Sequence, residues 1–256
     1  MNNIVYGDLF SLGDHRLICG DAGDQEIVRK LIGEDKIKML LCDVPYGIAI
    51  VESKQNFGNI TTEHKVILND QEQSDQEYAE FTKKWLEAVK PYLERKNSAY
   101  LFNSDKMIFA LREGFLGAGF KFSQLLIWVK SHAVIGRLNY LPQHELILFG
   151  WFGTHEFMKS QDKSVLFFPK PSKSKLHPTM KPVSLLRNLI LNSSNVSDIV
   201  YDGFLGSGST MMACEQVKRK CFGVELDPDY CKTIIARYEK TFGIKAEKIE
   251  EANEQR

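Results

Sequence analysis

The sequence predicts a single doubly wound α/β domain on a mostly parallel sheet with an antiparallel edge, and three observations carry that expectation. Short apolar runs alternate with longer amphipathic segments, the pattern of a sheet covered by helices on both faces. A glycine-containing turn over 202–210 follows one such run and opens a helix. Asp21, Asp43 and Glu225 stand at or just past the ends of three runs, the edge where open α/β sheets bind ligands. With 256 residues, 43% of them hydrophobic and 26% charged, the chain is long enough for one domain with a well-buried core.

Taken in order, the apolar runs predict strands over 16–19, 37–42, 98–102, 122–129, 145–149, 199–201 and 221–225. Helical periodicity covers 24–32, 75–93, 104–116, 183–191, 209–216 and 228–242. Ser74 and Asp75 can cap the second helix, and Pro182 suits the first turn of the fourth, where its missing N–H is not needed. Two stretches break the alternation. Segment 47–74 is polar and carries Gly, Asn and Thr, which predicts a long, mobile connection of the kind that is functional or disordered. Segment 131–180 mixes a hairpin pattern with a run rich in Lys and Pro, and 131–176 is expected to be a small target-recognition insertion. The end, 247–256, reads as a charged, frayed tail.

Composition narrows the functional classes. Lys and Arg total 33 against 33 Asp and Glu, so attraction to nucleic acid must come from a local basic surface. Cys19, Cys42, Cys214, Cys221 and Cys231 form no CxxC pair and read as reduced, buried thiols; no metal is expected. Met1-Asn2-Asn3-Ile4 lacks the basic start of a signal peptide, and no run approaches the roughly 20 apolar residues that span a bilayer, which points to the cytoplasm.

The turn Asp202-Gly203-Phe204-Leu205-Gly206-Ser207-Gly208-Ser209-Thr210 lets backbone approach a ligand. Met211 occupies the place of the third Gly of a dinucleotide fingerprint, and there is no GK[ST] of a phosphate loop. Glu225, ending the next strand, can accept both hydroxyls of a ribose. A glycine turn without pyrophosphate geometry, joined to a ribose acid, suggests a nucleoside cofactor without phosphates, with S-adenosylmethionine as the candidate.

Asp43-Val44-Pro45-Tyr46 follows the strand 37–42. By itself it admits two readings, a Pro-containing turn and an active site. In the second, Asp43 offers a carboxylate and Val44 or Pro45 a carbonyl to an exocyclic amino group whose lone pair is delocalised into its ring. Those acceptors favour a pyramidal nitrogen and stabilise the positive charge that grows as it attacks a sulfonium methyl. Tyr46 offers a flat face to a base swung out of its duplex. Without a Cys in a nucleophile motif, methylation at carbon 5 is not expected.

Together these segments resemble the DNA amino-methyltransferases of restriction-modification, phage and orphan systems, which methylate N6 of adenine or N4 of cytosine. Asp43-Val44-Pro45-Tyr46 resembles their DPPY, with Val44 in place of a Pro. His177-Pro178-Thr179-Met180-Lys181-Pro182 is similar to their HPTxKP, and 202–210 to DPFxGSGT, with Gly203 in place of a Pro. The segment 15–22, with Asp21 and Ala22, resembles the one that contacts the cofactor adenine, and 223–227 the ribose-binding strand. Gln143-His144-Glu145 is similar to a recurrent element to which no chemistry is assigned. The motif order resembles the family's β arrangement, permuted relative to commoner methyltransferases. The resemblance implies an S-adenosylmethionine-dependent enzyme whose cofactor is bound by Asp21, Ala22, His177, Thr179, Lys181, Asp202, Phe204, Gly206, Ser207, Gly208, Ser209 and Glu225. It makes Lys181 a partner for the cofactor carboxylate, DNA the substrate and adenine N6 the target, since a Ser replaces the Asp in many cytosine enzymes. N4-cytosine methylation and a catalytically silent homologue, the latter because of Val44, are the alternatives.

Between Lys159 and Arg187 there are seven Lys or Arg and one acid, Asp162, which with 47–74 forms the expected DNA-contacting surface. The short recognition segment favours a homodimer or a specificity partner subunit.

Overall fold

The structure, a computed structural model, describes residues 3–47, 72–133, 139–158, 162–169 and 180–250. The described elements run β1 (Leu9–Leu12), β2 (His15–Cys19), α1 (Gln25–Ile32), β3 (Ile37–Asp43), α2 (Asp75–Val89), β4 (Leu93–Asn103), α3 (Ile108–Gly117), β5 (Lys121–Val129) and β6 (His144–Trp151). There follow β7 (Val165–Phe167), α4 (Val183–Ser193), β8 (Ile199–Asp202), α5 (Ser209–Gln216), β9 (Lys220–Glu225), α6 (Pro228–Phe242) and β10 (Ala246–Ile249).

All the described strands join one sheet in the order β10-β1-β2-β9-β8-β3-β4-β6-β5-β7. From β2 to β4 neighbouring strands are parallel, while β1 and β6 pair antiparallel with their neighbours. The expected parallel sheet with an antiparallel edge is present, and both flanks carry the reversal. Alternation along β3 splits the core. Met39 and Leu41 join the apolar cluster under α4, α5 and α6, whereas Leu40 and Cys42 join the one under α1, α2 and α3. All five cysteines are free and buried.

Several boundaries differ from expectation for physical reasons. The helix expected over 75–93 ends at Val89, because Pro91 lies in a short 3-10 turn, Lys90–Tyr92, and β4 starts straight after it. The helix expected from residue 104 starts at Ile108; the Asn103 carboxamide oxygen accepts the Ser104 N–H at 2.7 Å and holds the chain in a turn first. Pro182 is the N-cap of α4 instead of its first helical residue. Ser74 caps α2 in a reciprocal pair with Glu77.

Three strands went unpredicted: β1, β7 and β10 are each only three or four residues long and lie at or near the sheet edges. The tail expected to fray from residue 247 instead starts as β10, with Leu9 opposite Ile249 and Lys248 paired to Asp8 at 2.7 Å. Residues 251–256 lie outside the described residues, as do most of the long connection 47–74 and positions 134–138, 159–161 and 170–179. In the described parts of the expected insertion 131–176, β6 and β7 are strands of the main sheet. No helix among the described residues is long and apolar enough to cross a membrane.

Candidate active site

The chain leaves β3 toward β4 on one side, while β8, next to β3, leads toward β9 and β2 on the other. Such a reversal opens a crevice beyond the carboxyl ends of the strands. Four acids face it from four strands: Asp21 just after β2, Glu225 at the end of β9, Asp202 at the end of β8 and Asp43 at the end of β3. All four line one open cavity, together with Ala22, Val44, Pro45, Tyr46, Lys181, Phe204, Gly206, Ser207 and Ser209.

One half of the cavity is a polar cradle. Glu225 accepts the Gly206 N–H at 2.7 Å and the Asp227 N–H at 2.9 Å, which ties the glycine turn to the strand end. Asp202 accepts from the Phe204 N–H at 3.0 Å and the Thr210 hydroxyl at 2.6 Å. Burial pushes both carboxyls up to about 7. Asp21 accepts the Gly23 N–H at 2.8 Å. The Phe204 ring packs edge-on to Trp85, with centroids 5.4 Å apart. Gly203 brings two turns together, since a Cβ there would stand 3.1 Å from the Cβ of Ala22. Each carboxylate keeps lone pairs beyond those its backbone partners use, so the cradle fits ribose hydroxyls as donors.

The other half is the tetrapeptide. Pro45 has its carbonyl taken by the Tyr78 hydroxyl at 2.6 Å, and Asn103 in turn donates to Tyr78 at 2.5 Å. The Val44 carbonyl is therefore the better-placed second acceptor. The Val44 side chain is fully buried in the α1–α3 core cluster, so packing supplies some of the rigidity that a Pro ring would impose. Tyr46 donates its hydroxyl to Glu145 at 2.9 Å.

Two of the expected cofactor residues stand differently. Lys181 is only 4% exposed and its ammonium lies 2.6 Å from Asp43 and 3.1 Å from Glu145. It belongs to the tetrapeptide's ion network as much as to the cofactor cradle, because two carboxylates compensate its burial. Gly208 does not line the cavity; at φ +79° it caps α5, and a Cβ would crowd Ile234 at 3.1 Å. His177 and Thr179 lie outside the described residues. Leu226 and Asp227, named from sequence only as part of the ribose-strand segment, also line the cavity, as does Tyr230, which the sequence reading did not name; Glu145 had no role assigned.

The same order of segments occurs in known proteins. The model of the N6/N4 DNA methylase family matches residues 37–237, and the chain belongs to that family of DNA amino-methyltransferases. It is 26% identical to the type II methyltransferase M.HpaI of Haemophilus parainfluenzae, over 90% of this chain and 76% of that protein. Among solved structures, the fold matches M1.HpyAVI in its SAM complex with a TM-score of 0.63 at 22% identity, covering 86% of this chain and 98% of that one. It also matches the cytosine-N4-specific PvuII DNA methyltransferase with a TM-score of 0.67 at 15% identity, covering 88% and 86%.

Proposed function

We propose that this DNA methyltransferase uses S-adenosylmethionine to methylate the exocyclic N6 amino group of adenine within a specific DNA sequence. One observation carries the reading: Asp43, 26% exposed, faces the same cavity as the Glu225–Gly206 cradle, so a methyl donor and an amino acceptor can meet there. The cofactor, when bound, supplies an electrophilic sulfonium methyl. Glu225 holds its ribose, Asp21 and Ala22 flank its adenine, and Phe204, Gly206, Ser207 and Ser209 form the wall beside Asp202. The family resemblance would put the segment with His177, Thr179 and Lys181 beside its methionine end, and Gly208 sets the turn.

Asp43 and the Val44 carbonyl accept the two amino hydrogens of the flipped base, which stacks on Tyr46. Burial pushes the Asp43 carboxyl above the usual range, against the pull of Lys181. As the nitrogen attacks, its positive charge builds beside Asp43, which takes the amino proton at a carboxylate oxygen.

Incubation with tritiated S-adenosylmethionine and unmethylated DNA, followed by digestion, tests this. Label is expected in N6-methyladenine, with a loss of about a hundredfold to a thousandfold in Asp43→Ala. Label in N4-methylcytosine would overturn the target, and cofactor binding without transfer would overturn catalysis. The similarity to a type II methyltransferase supports a role protecting DNA against a restriction partner. The basic run 159–187, with 47–74, is the proposed DNA surface; replacing Lys170, Lys173 and Lys175 together should weaken DNA binding and flatten its salt dependence. Lys181, buried, adds nothing to that surface. The parts of 131–176 outside β6 and β7 are the proposed target reader, and their shortness favours a homodimer or a specificity partner subunit.

A further inference from the structure

Behind Asp43 lies a group of charges that the transfer step above does not use. Glu145, on β6, is 16% exposed and Lys130, at the end of β5, is 6% exposed, and the two meet at 2.7 Å. Neither lines the cavity. Glu145 also reaches Lys181 at 3.1 Å and accepts the Tyr46 hydroxyl at 2.9 Å. The Lys181 ammonium therefore has three acceptors for its three N–H bonds: Asp43 at 2.6 Å, Glu145 at 3.1 Å and the Tyr46 oxygen at 3.3 Å. It also stands 5.5 Å from the Tyr46 ring centre and 5.3 Å from that of Phe102.

This arrangement poses a problem for the acceptor. Asp43 is already hydrogen-bonded to an ammonium, and an incoming amino group must share or take that contact. Were Asp43 the only counter-ion of a buried ammonium, releasing it would leave an uncompensated charge, which is strongly unfavourable. Glu145 removes that obstacle by giving Lys181 a second carboxylate. Lys130 in turn balances Glu145, so two acids and two ammoniums stay neutral as a set.

We infer that Glu145, supported by Lys130, is a positioning residue that retains the Lys181 ammonium and the Tyr46 hydroxyl while Asp43 exchanges Lys181 for the target amino group. This rests on the methyl transfer proposed above. The charged and titratable groups facing Asp43 are Cys42 and Tyr46 on its own segment, Lys181 ahead of α4, Glu145 on β6, Lys130 after β5 and Asp202 on β8. Within that set Glu145 pushes the Asp43 carboxyl up and Lys130 pulls it down. Glu145 itself would be raised by burial, but the two ammoniums hold it down to about 2, so it remains ionised throughout.

The test uses two near-isosteric variants of the full chain, Glu145→Gln and Lys130→Gln, with two readouts. In free protein, the Asp43 carboxyl carbon resonance, assigned by its loss in Asp43→Asn, is titrated by NMR. Its midpoint should fall in Glu145→Gln and rise in Lys130→Gln, whereas a general loosening of the site would shift both the same way or neither. In single-turnover methylation of unmethylated plasmid DNA, Glu145→Gln should be slower by about tenfold or more, with its cofactor Kd within about twofold of wild type. Midpoints that stay put or move together overturn the inference, and so does an unchanged single-turnover rate. If Glu145→Gln fails to fold, the rise in Lys130→Gln still decides. A wild-type protein that methylates DNA through Asp43 while Glu145→Gln matches it would sink the inference alone. A wild type that transfers no methyl group would sink the function reading first and the inference with it.

Discussion

Asp202 and Glu225 are carboxyls held near neutrality by burial, at about 7, against ordinary values of 3.8 and 4.5. The folded chain therefore binds their protons more tightly than the unfolded chain does. Their contribution to stability is full below the unfolded values, declines as pH rises toward about 7, and is flat above that. Glu225→Gln removes one of these titrations, so the variant should gain on wild type, by a few kcal/mol at most, between about pH 5 and about pH 8 in chemical denaturation. A constant difference across that range would show that Glu225 titrates normally. Much at this scale was legible, because Asp21, Asp43 and Glu225 each follow an apolar run. The pairing of Lys181, itself named from its motif, was not, since its partner Asp43 is 138 residues away and a motif says nothing of such pairing. Glu145 is visible in the sequence only as part of the Gln143-His144-Glu145 element, without a chemistry; its partners come from three separate segments that only the folded sheet brings together.

Helices α2 and α3 cross at Gly114, where an added Cβ would collide with the Ala79 carbonyl and with Thr82. Substitution Gly114→Ala improves helix propensity by about 1 kcal/mol, yet the backbone contact cannot yield without parting the helices. A net loss of about 1–3 kcal/mol is expected in urea denaturation. Since α2 carries Tyr78, which holds the Pro45 carbonyl, methyl transfer should also slow; a stabilised, fully active variant would refute the tight crossing. The longer elements were legible from periodicity. Pro91 in a helical-looking stretch was the warning that went unheeded, and β1, β7 and β10 were too short to show alternation.

For the whole molecule, β10 is the strand that covers β1, placing Ala246 opposite Leu12 and Glu247 opposite Ser11. A chain ending at Lys245 would leave β1 as a bare edge. Such edges pair with other chains, so the truncated protein should melt earlier and form larger species in size-exclusion chromatography. An unchanged Tm and a single unaltered peak would mean that β10 is dispensable. The doubly wound class and the permuted motif order were readable from the sequence of segments, but the sheet's full width was not, because its outermost strands carry the weakest patterns.

The pairing of β2 with β9 also has a consequence in time. Cys19 and Leu226 meet across 207 residues, so the Asp21 and Glu225 walls of the cavity come from distant parts of the chain. During synthesis Asp43 emerges early, but the Glu225 wall of its cavity is missing until β9 has left the ribosome. A nascent or prematurely terminated chain therefore lacks the completed crevice.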